Sequence, residues 1–205
     1  LHPALRYLLE RRNINLLEAR ELLCPSVLPN TEDHFPDLKK AVDRLLVAAN
    51  KNETVAICGD YDADGMTSSA LLARAFKEIN INVETAIPSR VNDGYGLNKK
   101  MVYDLNLKGI KLIITVDNGI SAALAIKKAN ELNIDVIITD HHKIPKNKPN
   151  IYALIHPEMT PLNSPYRYLA GVGIAYMIAK SLCKKTNILI EDSSAFELFC
   201  IGTVA

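Results

Sequence analysis

The stretch Cys58-Gly59-Asp60-Tyr61-Asp62-Ala63-Asp64-Gly65 sets three aspartates at alternate positions just after an apolar run. Two groups of the same kind lie downstream, Val116-Asp117-Asn118-Gly119 and Thr139-Asp140-His141-His142. Carboxylates packed together repel, and without a compensating cation their pKa values climb until they take up protons. No Lys or Arg falls inside these motifs. A divalent cation is the simplest partner. Oxygen donors with one or two imidazoles suit Mn²⁺ or Mg²⁺ better than Zn²⁺. The donors exceed what one hydrated ion needs, and two ions about 3.5–4 Å apart would use them. A pair of that kind suits hydrolysis of a phosphate ester. Taken singly, Asp64 or Asp117 reads more often as a helix N-cap, and a His-His pair as surface. The three motifs together carry the metal reading.

The elements that must position these groups follow from periodicity. From residue 54, the runs TVAICGD, NVETAIP, KLIITVD, DVIITD and IYALIHP are rich in Val and Ile and alternate little. Strands buried on both faces of a parallel sheet look like this. Helical spacing is predicted between them, over 65–80, 98–107, 119–132 and 168–185, with a last helix over 191–201. The alternation predicts an α/β fold, an open doubly wound, mostly parallel five-stranded sheet flanked by helices. Ligands of such sheets bind at the carboxyl ends of the strands, where all three motifs fall. Residues 1–35 read as a short helical appendage, and 36–205 as the main domain.

Composition narrows the class. The chain has 205 residues, 48% of them hydrophobic, and a net charge of +1. Disorder is excluded, and any nucleic-acid footprint must be local. No apolar run reaches the roughly 18 residues of a membrane span, so no membrane partner is expected. The charged N-terminus LHPALRYLLERRN is not a signal peptide, and the missing initiator Met suits a piece of a longer protein. Four cysteines without a C-x-x-C pair read as reduced thiols, which points to the cytoplasm.

The segments GDYDADGMTS, VDNGIS and TDHH resemble the first three motifs of the DHH phosphoesterase superfamily. SRVNDGYGLN, YLAGVGIAYMIAKSL and the N-terminal LERRNINLLEARELLCPS resemble its RecJ-type branch of single-strand-specific DNA exonucleases. The resemblance covers nearly the whole chain. It implies a 5′-to-3′ exonuclease that releases 5′-mononucleotides from single-stranded DNA in repair and recombination. It makes Asp62, Asp64, Asp117 and His141 metal ligands, with Asp117 bridging two ions and Asp60 a further donor. Asp140 would orient a neighbouring His, and His142 would sit beside the scissile phosphate. Water brought to lower pKa by the metal would be the nucleophile.

Other residues stay open between two roles. Ser89 and Arg90 follow the second strand, so Arg90 is either a phosphate clamp or a solvated loop residue. Gly171 and Gly173 open a helix, either to admit an anion or to let helices pack. Tyr95 either stacks a base or sits in a turn shaped by Gly94 and Gly96. His156-Pro157 stands where the family more often has Asn-Pro, and reads as a neutral substitution before an extra ligand. The family's fourth motif, Gly-Thr-Val-Ala-Asp, supplies another ligand, and the chain ends at IGTVA. This stretch alone is therefore expected to hold one ion at most and to be a poor nuclease. The family's C-terminal domains, through which single-strand-binding protein or a helicase would dock, are expected to follow. The rival readings are a DHH phosphodiesterase for short oligoribonucleotides, pAp or cyclic dinucleotides, a silent DHH scaffold in a replication complex, and a phospho-acceptor receiver domain.

Overall fold

The computed structural model describes residues 2–23, 29–89, 94–188 and 193–204. The chain divides into two compact units, residues 1–30 and 31–205. The smaller holds α1 (Pro3–Arg11) and α2 (Leu16–Leu23). Both start on local chemistry. The His2 ring accepts from the Ala4 N–H at 3.3 Å, with Pro3 opening the helix. At α2 the Asn15 side chain accepts from Leu17 and Glu18, and Glu18 accepts from the Asn15 N–H, a reciprocal capping box.

The larger unit runs α3 (Leu38–Asn50), β1 (Thr54–Cys58), α4 (Ala63–Glu78), β2 (Asn82–Ala86), α5 (Lys99–Leu107) and β3 (Leu112–Val116). It continues α6 (Ala123–Glu131), β4 (Asp135–Thr139), β5 (Ala153–Ile155), α7 (Gly171–Thr186) and α8 (Ser193–Val204). The five strands form one sheet in the order β2-β1-β3-β4-β5, every neighbouring pair parallel. The chain leaves β1 in one direction and returns to lay β3 on its other side. That reversal opens a crevice at the carboxyl ends of β1 and β3.

Alternate strand residues feed two cores. Val55, Ile57, Ile114 and Ile137 pack with α3, α4 and α7, while Ala56, Cys58, Ile113 and Ile138 pack with α5 and α6. Phe35 is buried in the first core and meets Tyr166 at 5.9 Å between ring centroids, so residues 31–35 pack with the larger unit. The predicted boundary at 35/36 therefore moves to 30/31.

Two features of α4 explain its sequence. Asp62 caps it, accepting from the Gly65 N–H at 2.9 Å. The polar Thr67-Ser68-Ser69 that follows is buried because the helix is overlaid by α7 and α8. Thr67 and Ser69 return their hydroxyls to the Ala63 and Gly65 carbonyls, four residues back. A Cβ at Gly202 of α8 would stand 2.2 Å from the Thr67 hydroxyl, so small residues set the helix spacing. The helix predicted from 119 begins instead at Ala123, because Gly119 takes φ of 111° and the Ile120 N–H turns away to a side chain of the next strand end.

Gly65 tests this frame. In an exposed helix, Gly to Ala gains about 1 kcal/mol. Here the added Cβ would lie 2.7 Å from the backbone nitrogen of Asp60. Overpacking against main chain costs about 1–3 kcal/mol, so Gly65→Ala should lower the urea midpoint. A raised midpoint would show that the Asp60 turn yields.

Candidate metal centre

Each motif sits directly beyond a strand. Asp60 lies two residues past Cys58 of β1, Asp117 next to Val116 of β3, and Asp140 next to Thr139 of β4. Because Val116 pairs with Thr139, Asp117 and Asp140 start from adjacent positions on the sheet edge. Asp117 adopts the left-handed conformation, φ 60°, which Asp tolerates better than most residues. Its N–H still extends the ladder to the Thr139 carbonyl at 3.0 Å.

Asn118 locks this edge. Its amide donates to the Cys58 and Val116 carbonyls at 3.0 and 2.9 Å, and its Oδ1 accepts from the Leu97 N–H at 3.1 Å. One buried side chain thereby joins β1, β3 and the turn carrying Tyr95. The sequence reading passed over it. The signal was there, since an Asp-Asn-Gly turn favours side chains that bond locally and tolerate positive φ.

The carboxylates divide into those whose two oxygens both accept hydrogen bonds and those with one oxygen buried and unbonded. Asp140 is saturated. Its Oδ1 accepts from the His141 and His142 N–H groups and faces His142 Nδ1 at 2.8 Å, and its Oδ2 accepts from Ile120. An acceptor-only carboxylate at that distance places the proton of His142 on Nδ1, leaving Nε2 facing outward. Asp64 is also engaged. Its two oxygens accept from the Gly171 and Val172 N–H groups at 2.7 Å each, capping α7 from another element.

Asp60 and Asp117 are different. Both are 1% exposed, and Asp60 Oδ2 and Asp117 Oδ1 are buried without a hydrogen bond. His141 Nε2 stands 2.9 Å from Asp117 Oδ1, a close approach without an N–H directed along it. It lies 3.6 Å from Asp64 Oδ2. Adjacent ligands of an octahedral ion with bonds of about 2.0–2.1 Å stand about 3 Å apart. The pair Asp117 Oδ1 and His141 Nε2 has that spacing. Asp60, Asp62 and Asp117 each bring an oxygen within 4.8 Å of one another, and Asp117, His141 and His142 bring one donor atom each within the same limit. The donor set fits a hard divalent cation. Cys58 adds nothing, since burial pushes its thiol up to about 12.

Charge in this crevice shifts in the directions that burial and crowding require. Burial raises Asp117 to about 6, with Asp64 and Asp62 adding to the rise. Burial likewise raises Asp60, with Asp62 beside it. His141 is raised by its contact with the Asp117 carboxylate, which outweighs its burial. Tyr95 is raised by burial and by the Asp117 charge.

Tyr95 is placed at the mouth of the crevice. Its hydroxyl lies 3.2 Å from the Asp117 carbonyl and 3.3 Å from His142 Nε2. Its ring meets Tyr61 and His142 edge-on, at 6.3 and 6.0 Å between centroids. Ser89 is exposed beyond β2, and Arg90 lies outside the described residues. Gly171 and Gly173 have the geometry of the packing alternative. The Gly171 N–H is given to Asp64 rather than left for a phosphate, and a Cβ there would stand 2.7 Å from Asp117 Cβ. A Cβ at Gly173 would stand 2.9 Å from Leu169. Close packing explains both glycines. His156 is fully buried and offers no free ring nitrogen. Nε2 faces the His142 carbonyl at 2.8 Å, and Nδ1 accepts from the Glu158 N–H at 3.1 Å.

A parallel sheet that gathers carboxylates and imidazoles at its topological switch point defines a ligand-binding doubly wound α/β protein. Residues 54–203 match the N-terminal domain of the DHH family, and the chain belongs to that family. It is 36% identical over 205 residues to the single-stranded-DNA-specific exonuclease RecJ of Bacillus subtilis, covering 99% of this chain and 25% of that protein. It is 34% identical over 216 residues to the same-named protein of Escherichia coli, covering 100% of this chain and 37% of that one. A crystal structure of exonuclease RecJ bound to manganese superposes with a TM-score of 0.76 at 30% identity, covering 88% of this chain and 44% of that chain. The chain thus spans 25–37% of the length of these two curated relatives.

The raised carboxyl of Asp117 has a measurable cost. Its folded value lies above the unfolded one, so the stability it contributes is present below about pH 4 and lost as pH rises through about 6. The loss is about 3 kcal/mol at most. Asn accepts the same left-handed backbone. Without metal, Asp117→Asn should be more stable than the parent at about pH 8 and match it near pH 4, by urea unfolding. Saturating Mn²⁺ should reverse the order at about pH 8. A parent already more stable at pH 8 without metal would contradict the burial argument.

Proposed function

We propose that the larger unit is the catalytic domain of a metal-dependent phosphodiesterase, a RecJ-type exonuclease. It would degrade single-stranded DNA from the 5′ end and release 5′-mononucleotides, in DNA repair and recombination in the cytoplasm. Among the described residues no helix is long and apolar enough to cross a membrane. The observation that carries the reading is the buried Asp117 Oδ1 that accepts no hydrogen bond and faces His141 Nε2 at 2.9 Å. The RecJ relatives support the choice of substrate.

Asp117, Asp60, Asp62 and His141 would hold Mn²⁺ or Mg²⁺. Asp64 would share a second lone pair of its carboxylate while keeping α7 in place. A divalent cation there supplies Lewis-acid stabilisation of phosphoryl oxygens and lowers the pKa of a hydrolytic water. The protein's own groups do the rest. Asp140 fixes the ring of His142 so that Nε2 points to where a phosphoryl or leaving oxygen would lie. Tyr95 already approaches that nitrogen at 3.3 Å and would flank the sugar or base. The burial of Asp60 and Asp117 keeps water from competing for their oxygens.

Digestion of 5′- and 3′-labelled single and double strands by the whole protein tests this. The 5′ label should leave first, as mononucleotide, from single strands only and only with Mn²⁺ or Mg²⁺ present. Asp117→Ala should abolish calorimetric Mn²⁺ binding and lower the rate about 100-fold or more. Early loss of the 3′ label, equal cutting of blunt duplex, or unchanged Mn²⁺ binding in the variant would each refute a stated part. Preference for di- or trinucleotides over long strands would favour the short-oligonucleotide enzymes instead.

A further inference from the structure

The Asp140-His141-His142 loop is fastened on two sides. On one side the Asp140 carboxylate accepts from both following N–H groups and from His142 Nδ1. On the other, the carbonyl of His142 meets a buried ring from the edge strand. β5 pairs with β4 through Thr139 and Ile155, so the residue after each strand arrives beside the other. Those residues are Asp140 and His156. The His156 ring is 0% exposed, and both its nitrogens are in use. Nδ1 accepts from the Glu158 N–H, so the proton must sit on Nε2. Nε2–H then donates to the His142 carbonyl at 2.8 Å.

We propose that His156 is a positioning residue, whose Nε2–H holds the His142 carbonyl and so keeps the His141 imidazole against the Asp117 carboxylate and the His142 imidazole against Asp140. The inference rests on the loop being catalytic, as above. Asp140 holds the N–H and ring of His142 but not its carbonyl, which is held by His156. The two rings stand 4.7 Å apart between centroids, with His141 Nε2 at 2.9 Å and His142 Nδ1 at 4.0 Å from Asp117 Oδ1. A swing about the free carbonyl end would spoil both distances. His156 acts through the backbone of its neighbour.

Two substitutions separate this role from a plain structural one. His156→Asn keeps an oxygen where Nδ1 caps Glu158, so the turn at Pro157–Met159 should stay folded. Its amide is too short to reach where Nε2 stands. His156→Gln restores that reach. In the whole protein, His156→Asn should lower kcat about 10–100-fold with KM little changed. It should weaken Mn²⁺ binding and speed hydrogen exchange in the peptide that spans residues 140–142. His156→Gln should recover most of each. Unchanged exchange and Mn²⁺ affinity in His156→Asn would overturn the proposal, as would equal losses in both variants. Exchange and Mn²⁺ affinity stay readable if the parent proves inactive on DNA, so a failure of the nuclease reading is told apart from a failure of this one.

Discussion

Two buried carboxylate oxygens without a hydrogen bond set the terms for everything around them. A charge in that state costs several kcal/mol unless something pairs with it. Among the described residues no Lys or Arg pairs with Asp60 or Asp117; the Tyr61 N–H and the neighbouring imidazoles offset their charge only in part, since both carboxyls are still raised in pKa. The fold tolerates the cost through the two apolar cores that sandwich the sheet. Stability stored in Val, Ile and Leu thereby offsets the cost of an oxygen-rich cleft whose buried carboxyls are raised in pKa.

The surrounding polar residues hold shape rather than charge. Asn118, Asp140 and Asp64 each make at least one hydrogen bond to the main chain of another segment. Asn118 fixes the width between β1 and β3, Asp140 fixes the loop after β4, and Asp64 fixes the start of α7. Each is buried or partly buried, so few alternative geometries satisfy it. The open valences of Asp60 and Asp117 are surrounded by closed ones. An acidic cleft made only of unsatisfied groups would collapse or neutralise; this one is stiffened at its rim.

Much of this was legible before any coordinates. Asp60, Asp117 and Asp140 each follow an apolar strand-like run, and a parallel sheet puts such positions on one edge. What escaped the sequence depends on pairs far apart along it. Gly171 suited an anion site and a packing site equally, and only the approach of Asp64 and Asp117, on other elements, decides for packing. His156 looked neutral because its partner is a backbone carbonyl, which no residue type announces, and because the register of Thr139 on Ile155 had to be known. Asn118 was hidden by its louder neighbour. The early start predicted for α6 failed because helical spacing cannot show that an N–H is borrowed by a side chain twenty residues away.

The bond from Asp64 to the head of α7 also orders events in time. It joins positions 107 and 108 apart in sequence, so it cannot form before residue 172 has been made. Chains grow from the N-terminus at about 5–20 residues per second. For several seconds the first acidic motif is therefore outside the ribosome while its cap is still unmade. Asp64 meanwhile has no amides to hold it, and Asp117 lacks the close lid that Gly171 provides. The cleft reaches its described geometry only when the second half of the domain has closed over it.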